Sequence, residues 1–347
     1  MLITVDRLGS VTANASLNNT VQLSSTIPNR VGTVIVGRVL ENKEIYNQLE
    51  DTEGSLHRIY RGDIVAGALG SRRALRGHSG DIPEQIAVGD HLHLLNLGGV
   101  IGQGSSSSPD VGAPLTIEVL GAPIEDGEVV NIEEGKVRPA HFLQEMPPVV
   151  AFAGTCMHSG KTQATATFIA GAVAQGLKVV GLKLTGVALQ RDVRKMQSQG
   201  AAQVYTFNDA GLPSTCGVNP LQAAIGCLNQ AAAHQPDLIV VEFGDGLLGD
   251  YGVDTILADH QVASVISALV LAAPDPVAAW GGVQLLSGWS LTTTVVTGQS
   301  TDNEAGVDAI HRHTGVAAIN ARNQSVAFVE EVLGQALPGT ILQRMQA

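Results

Sequence analysis

The fold is decided by the stretch Val149-Val150-Ala151-Phe152-Ala153-Gly154-Thr155-Cys156-Met157-His158-Ser159-Gly160-Lys161-Thr162. A short apolar run leads into a glycine-containing turn that ends in Gly-Lys-Thr, and a helix-forming segment over residues 163–175 follows. This strand–loop–helix order is the one that a phosphate-binding loop requires. Backbone N–H groups of such a loop point at phosphates, and the dipole of the following helix also favours negative charge there.

The loop is therefore predicted to hold nucleotide phosphates together with Mg²⁺. Lys161 would bring positive charge to the β- and γ-phosphates and take part in catalysis, and the Thr162 hydroxyl would be a Mg²⁺ ligand. The residues expected to bind the nucleotide from this stretch are Gly154, Thr155, His158, Ser159, Gly160, Lys161, Thr162 and Gln163.

One glycine of the loop does not fit the usual spacing of the motif. The usual spacing, G-x-x-x-x-G-K-[ST], places a glycine where this chain has Thr155, and a glycine stands one step earlier, at Gly154. This variant resembles the loop of dethiobiotin synthetase and its relatives, a branch of the P-loop superfamily. The resemblance implies an ATP- and Mg²⁺-dependent enzyme that transfers a phosphoryl group to a small anionic metabolite, or activates it. Because dimers are common in that branch, it also implies a homodimer.

Composition narrows the class of protein. The 347 residues suffice for two domains, and 44% apolar residues with 15% charged ones indicate an ordered globular chain. A net charge of −12 argues against nucleic-acid and anionic-membrane partners. The longest apolar stretch, residues 262–273, is too short for a membrane span. Three cysteines without metal-ligand spacing favour the reducing cytoplasm.

The two halves of the sequence differ in pattern. Residues 1–146 show short β-branched runs separated by turn signals, which predict a β-rich domain, either a barrel or a sandwich. Within it, residues 104–109 are predicted to be a flexible loop. Pro147 and Pro148 mark the boundary, because neither continues a helix or sits centrally in a sheet.

Residues 147–347 alternate between strand and helix patterns. Alternation of this kind predicts an α/β domain with a mostly parallel sheet and helices on both faces, as in P-loop NTPases. In such a sheet, ligands lie beyond the carboxyl ends of the strands. Lys183 and Thr185 flank the end of the strand predicted over 178–184, and Glu242 ends the strand predicted over 238–242, so these ends are candidates for the site.

The strand ends supply the remaining predicted catalytic groups. A buried strand-end lysine is costly without a counter-charge, and in the dethiobiotin synthetase branch a lysine and a nearby hydroxyl here serve the phosphates and the substrate. Lys183 and Thr185 are the matching positions. Glu242 closes an apolar strand as a Walker B carboxylate does, so it is expected to orient Mg²⁺. Gly244, just beyond it, would let the backbone approach the substrate.

A second resemblance leaves another function open. Residues 186–192 and 207–215 resemble a P-loop family that includes D-glutamate N-acetyltransferase-type proteins, which implies an N-acyltransferase using a phosphate-bearing donor such as acetyl-CoA. Asp209 follows a predicted strand and is a candidate for a second catalytic, Mg²⁺-binding carboxylate, although it would equally serve as a turn residue. A nucleotide-regulated, non-catalytic scaffold is the third reading.

Two further features bear on ligands. Arg72, Arg73 and Arg76 fall within five residues, and arginine forks match carboxylates and phosphates, so they are candidates for binding an anionic substrate. A solvated charged loop would explain the same residues. The strand and helix start near residues 295–303 lack an N-K-x-D signature, which favours ATP over GTP.

Overall fold

The computed structural model describes residues 1–337 and 339 of the chain. Residues group into two compact units: the first comprises Met1–Arg138, Val187–Arg191 and Phe207–Val218, and the second comprises Pro139–Gly186, Asp192–Thr206 and the chain from Asn219 onward. The continuous domains 1–146 and 147–347 stay a prediction, and residues 338 and 340–347 of the latter lie outside the described residues. Contacts assign the two short segments to the first unit because Ala188 and Phe207 pack into its core.

The first unit is β-rich and its large sheet is mixed. Its main strand order is β1-β3-β11-β4-β7-β10-β8, and β5 pairs with β6 separately. Most pairings are antiparallel, whereas β2–β7 and β7–β10 are parallel. The strands are β1 Leu2–Thr4, β2 Arg7–Leu8, β3 Thr20–Ser24, β4 Val34–Val39, β5 Gln48–Glu50, β6 Leu56–Arg58, β7 Ile64–Leu69, β8 His78–Asp81, β9 His91–Leu94, β10 Val100–Ser107, β11 Leu115–Glu125 and β12 Glu128–Val129.

Both faces of this sheet are buried. Along β4, Ile35 and Val39 enter one apolar cluster, and Val34 and Val36 enter another. Because successive strand residues point to opposite faces, each face carries its own cluster. This is why the sequence of β4 is a nearly continuous apolar run.

The prediction of a flexible loop over residues 104–109 is wrong for residues 104–107, which are part of β10. Gly104, Ser106 and Ser107 belong to β10 and pair with β8. The glycine pair Gly104–Gly80 makes this possible, because a Cβ on Gly80 would lie 2.5 Å from the Gln103 carbonyl oxygen. Close backbone approach therefore overrides the turn-like composition of the segment.

The second unit is built on a parallel sheet. Its strand order is β15-β14-β16-β13-β17-β18-β19, and each pairing within it is parallel. The strands are β13 Val149–Gly154, β14 Val179–Thr185, β15 Gln203–Thr206, β16 Leu238–Phe243, β17 Ile266–Ala272, β18 Val295–Thr297 and β19 Ala317–Ala318. The helices are α1 Lys161–Ala174, α2 Arg191–Ser198, α3 Leu221–Ala232, α4 Val253–Leu257, α5 His260–Val265, α6 Pro276–Gly288, α7 Glu304–Thr314 and α8 Ser325–Ala336. In its described residues the chain is thus an α/β protein with a large mixed sheet, a parallel sheet and the two-stranded β5–β6 sheet.

Capping residues set the helix boundaries in this unit. The Asp275 carboxylate accepts from the Ala278 N–H at the start of α6, and Asn303 caps α7 in the same way. Asp259 accepts from the N–H groups of Gln261 and Val262 at the start of α5. Residues 253–265 form two short helices, α4 and α5, because Asp259 caps the start of the second one. Among the described residues, no helix is both long and apolar enough to cross a membrane.

Three phenylalanines anchor the core of the second unit. Phe152 of β13 packs against Phe168 of α1 and Phe328 of α8, with ring centroids 5.6 and 6.5 Å apart. All three are fully buried. Helix α1 reaches this core because Ala164, Phe168 and Ala172 recur every four residues and so share one face.

We predict that Phe328→Ala lowers the free energy of unfolding by about 3–5 kcal/mol, through lost burial and the cavity it leaves. Urea unfolding measures this. Phe142→Ala is the matched control, because the Phe142 side chain is 76% exposed. A loss below about 1 kcal/mol for Phe328→Ala would contradict the core described here.

Candidate functional site

The loop between β13 and α1 is organised for an anion at the helix start. Gly160 has φ of 108° and no side chain caps α1, so the first N–H groups of the helix are not used by a cap. His158 also has a positive φ, 59°. Open helix N–H groups and the helix dipole together favour a phosphate at this point.

The displaced glycine of the loop makes room for the lysine. A Cβ on Gly154 would lie 2.4 Å from Ser159 Oγ and 2.8 Å from Lys161 Cγ and Cδ. Lys161 is buried, and its ammonium donates to the Cys156 carbonyl oxygen at 2.7 Å and to Ser159 Oγ at 3.5 Å. Gly154 is therefore required one step early because the lysine stem folds across it.

Burial controls the charge of Lys161. It lowers the pKa of Lys161 to about 8, and the positive charge of Lys183 acts in the same direction, while the carboxylates of Glu242 and Asp245 partly oppose the shift. A ligand phosphate beside Lys161 would favour the charged form. The Lys161 ammonium donates to one backbone carbonyl and one hydroxyl of the loop, and a bound anion could replace both acceptors.

Glu242 and Lys183 meet because their strands are in register. Lys183 of β14 and Glu242 of β16 are direct partners in the parallel ladder. The Lys183 ammonium donates to Glu242 Oε1 at 3.3 Å and also pairs with Asp192, in the first turn of α2. Burial lowers the pKa of Lys183, but the carboxylates of Asp192 and Glu242 outweigh burial and raise it above its ordinary value.

Thr162 connects the loop to this ion-pair cluster. Its hydroxyl donates to Glu242 Oε1 at 2.8 Å, so the same oxygen accepts from Thr162 and Lys183. The other oxygen, Glu242 Oε2, is buried and has no hydrogen-bond partner in the described part of the chain. Because an unpartnered buried carboxylate oxygen is costly, it fits an added cation or a water bound to one.

The oxygen donors at this point suit Mg²⁺. Mg²⁺ takes one or two protein oxygens and completes its shell with water and phosphate oxygens. Thr162 and Glu242 offer such a pair. Residues 1–337 and 339 contain no group of three or more His, Cys, Asp or Glu side chains placed to hold a metal ion. A cation here would therefore depend on oxygens supplied by a ligand.

Thr185 and Gly244 join the ends of β14 and β16. The Thr185 hydroxyl donates to the Gly244 carbonyl oxygen at 3.0 Å, and a Cβ on Gly244 would lie 2.2 Å from the Thr185 carbonyl oxygen. In this structure the Thr185 hydroxyl thus contacts backbone. The roles predicted for Thr185 in nucleotide binding and for Gly244 in substrate binding stay predictions.

A cavity of about 180 Å³ lies next to the loop. The Gln299 side chain, on one wall, donates to the His158 carbonyl oxygen at 2.8 Å and so ties this wall to the loop. Gln163 also lines the cavity, and its side-chain oxygen accepts from Lys195 at 2.9 Å. The residues lining the cavity include Gly160, Gln163, Gly298, Gln299, Asp302 and Arg322.

The other predicted site residues lie in the first unit. Arg72 is buried and donates to the Tyr46 hydroxyl at 3.1 Å and to the Leu95 carbonyl. Arg73 pairs with Asp81 at 2.6 Å, and Arg76 is exposed. Asp209 is half-buried, and its carbonyl oxygen accepts from the Val137 N–H at 2.8 Å. Their predicted roles stay predictions, as does Asp209 as a metal ligand.

Sequence reasoning missed two acids of the second unit. Asp192 pairs with Lys183, and the signal was available: a buried strand-end lysine needs a carboxylate, and an aspartate opens the next helix. Asp245 has φ of 65°. Burial lowers the pKa of Lys161, and the negative charge of Asp245 partly offsets that shift. Its neighbour Gly246 packs on the loop, because a Cβ there would lie 2.5 Å from the Thr155 carbonyl oxygen.

Comparison with known proteins does not assign the chain to a family. No protein-family model matches the sequence, and no curated protein matches it. Among solved structures, the chain is similar to the 54 kDa signal recognition particle protein of Aeropyrum pernix in complex with GDP, at 17% identity over 58% of this chain and 50% of that one, with a TM-score of 0.39. This chain thus spans half the length of that protein.

Two signal recognition particle receptors show a similar level of likeness. The receptor FtsY of Elizabethkingia anophelis is 15% identical over 59% of this chain and 67% of that one, with a TM-score of 0.37. Chloroplast FtsY of Physcomitrella patens is 12% identical over 60% and 71%, with a TM-score of 0.40. At such scores the likenesses carry no argument, and they give the dethiobiotin synthetase-like branch no support.

We predict that Gly246→Ala destabilises the protein by about 1–3 kcal/mol, because the added methyl meets a backbone carbonyl that cannot move without the loop. Thermal unfolding monitored by circular dichroism measures this. Gly281→Ala, in α6, is the matched control, because no atom of the described residues outside its chain neighbours and the adjacent helix backbone lies within 4 Å of its Cβ position. Equal melting temperatures for the two variants would contradict the packing of residues 244–247 on the loop.

Proposed function

We propose that the second unit binds a magnesium–nucleoside triphosphate and transfers its terminal phosphoryl group. The observation that carries this proposal is the 2.8 Å hydrogen bond from the Thr162 hydroxyl to Glu242. It places the residue after the loop lysine beside the strand-end carboxylate, as phosphoryl transfer with Mg²⁺ requires.

Each group of the site has a role in this proposal. The N–H groups at the start of α1 bind the phosphates, and the Lys161 ammonium exchanges the Cys156 carbonyl for a phosphate oxygen. Thr162 and Glu242 would hold Mg²⁺, which would supply positive charge against the phosphates. Such catalysis depends mainly on positioning and on charge neutralisation. These groups would need to move only a little to provide both.

ATP is the nucleotide we propose, because residues 295–303 lack an N-K-x-D signature. The cavity beside Gly160 and Gln163 would receive the nucleoside. A small anionic metabolite is proposed as the phosphoryl acceptor, as the dethiobiotin synthetase resemblance implies. We also keep a cytoplasmic location and a homodimer as proposals.

A thermal-shift and calorimetry screen over ATP, GTP and acetyl-CoA, each with and without Mg²⁺, tests the proposal. A ligand at 100 times its Kd stabilises a protein by about 2.7 kcal/mol. We expect ATP with Mg²⁺ to give the largest shift. Stabilisation by acetyl-CoA alone would favour the acyltransferase reading, and no shift with either nucleotide would overturn nucleotide binding.

We predict that Lys161→Ala abolishes nucleotide binding while the chain stays folded. The loop keeps its conformation through backbone groups and glycines, whereas the phosphate charge loses its partner. Isothermal titration calorimetry and the far-ultraviolet circular dichroism spectrum measure the two effects. Lys178→Ala, an exposed lysine of the same unit, is the matched control. Wild-type affinity in a folded Lys161→Ala variant would refute the phosphate-binding loop.

Glu242→Gln should lower kcat on the order of 100-fold with a much smaller change in nucleotide affinity. The amide keeps the volume and accepts from Thr162, but it removes the charge that attracts Mg²⁺. Steady-state kinetics and calorimetry separate the two quantities. Glu331→Gln, exposed on α8, is the matched control. If turnover stays within a few-fold of wild type, Glu242 is a structural strand-end residue.

A further inference from the structure

The Lys183 ammonium contacts carboxylates, whereas the sequence predicts that it contacts phosphate. It pairs with Asp192 and lies 3.3 Å from Glu242 Oε1. The three side chains are nearly inaccessible to solvent, with exposed fractions of 10%, 13% and 1% for Lys183, Asp192 and Glu242. One buried cation is thus shared between two anions, and we call these residues the ion-pair triad.

We propose that Lys183 is a positioning residue for Glu242, and that Asp192 preserves the negative charge that Glu242 presents to Mg²⁺. This inference rests on the proposed function. Glu242 Oε1 accepts from both Thr162 and Lys183, which fixes the plane of the carboxylate and leaves Oε2 without a protein partner. The lysine therefore orients a metal-binding oxygen without itself reaching the ligand.

The charges of the triad explain why the second carboxylate is needed. With Lys183 positive and both acids ionised, the triad carries one net negative charge. If Asp192 were neutral, the ammonium would belong to Glu242 alone, and the pair would have no net charge to attract a cation. Charges at this separation interact strongly because little water lies between them.

The structure also favours this arrangement over direct phosphate binding by Lys183. A phosphate could reach the ammonium only by displacing the carboxylates of Asp192 and Glu242, and the buried Glu242 carboxylate would then lose the cation that Lys183 supplies. By contrast, Lys161 is held by one carbonyl and one hydroxyl. Of these two lysines, Lys161 is the one that can change partners at low cost.

Calorimetry with the non-hydrolysable analogue AMPPNP, with and without MgCl₂, tests the inference on the full chain. The measured quantity is the ratio of the Kd without Mg²⁺ to the Kd with Mg²⁺. We expect Asp192→Asn to lower this ratio about ten-fold, because one nearby negative charge is lost. Asp192→Glu should restore it to within about two-fold of wild type, because the charge returns.

Asp308→Asn, on the exposed side of α7, removes the same charge far from the triad in sequence and is the matched control. If Asp192→Asn does not fold, Asp192→Ser removes the same charge with a side chain suited to the first turn of a helix.

Three results would overturn the inference. If Lys183 contacts phosphate, or if Asp192 has a purely structural role, the Asp192→Asn variant changes both Kd values equally and the ratio stays that of wild type. A ratio lowered as much by Asp308→Asn would show a general charge effect. Wild-type protein that binds AMPPNP equally with and without Mg²⁺, or not at all, would overturn the proposed function as well.

Discussion

The buried ammonium of Lys183 is the contact on which the rest of the candidate site depends. It joins the end of β14 to the end of β16 through Glu242, and both to the start of α2 through Asp192. A buried charge is stable only when it is paired, so these three elements are held at one edge of the sheet. Glu242 can meet Thr162 because this pairing fixes where its carboxylate lies.

The loop on the other side of Thr162 is likewise prepared by its own chain. Gly154 admits the stem of Lys161, and Gly246 lets residues 244–247 lie against the loop backbone. Because the loop is shaped by backbone groups and by glycines, a phosphate bound as proposed would replace the hydrogen bonds of one lysine and would require little other rearrangement. Such preorganisation is what electrostatic catalysis requires.

The parallel sheet could be predicted from the sequence, because buried parallel strands are continuous apolar runs that alternate with capped helices. Lys161, Thr162 and Glu242 could be predicted for the same reason: each stands at a strand or helix end with a recognisable spacing. For Lys183, the sequence indicates that a carboxylate is needed, but the choice of Asp192 and Glu242 as its partners depends on strand register and on where α2 begins. The sequence did not predict the second half of strand β10, because the glycines and serines there are usually found in turns.

The two short segments 187–191 and 207–218, which belong to the first unit although they lie between strands of the second, constrain how the chain folds during synthesis. The core that holds Ala188 and Phe207 stays incomplete until the ribosome has passed residue 218. By then β13, α1, β14 and β15 have already been made. The first unit therefore cannot finish folding before synthesis of the second unit has begun. The two units of this chain cannot fold one after the other as the chain is made.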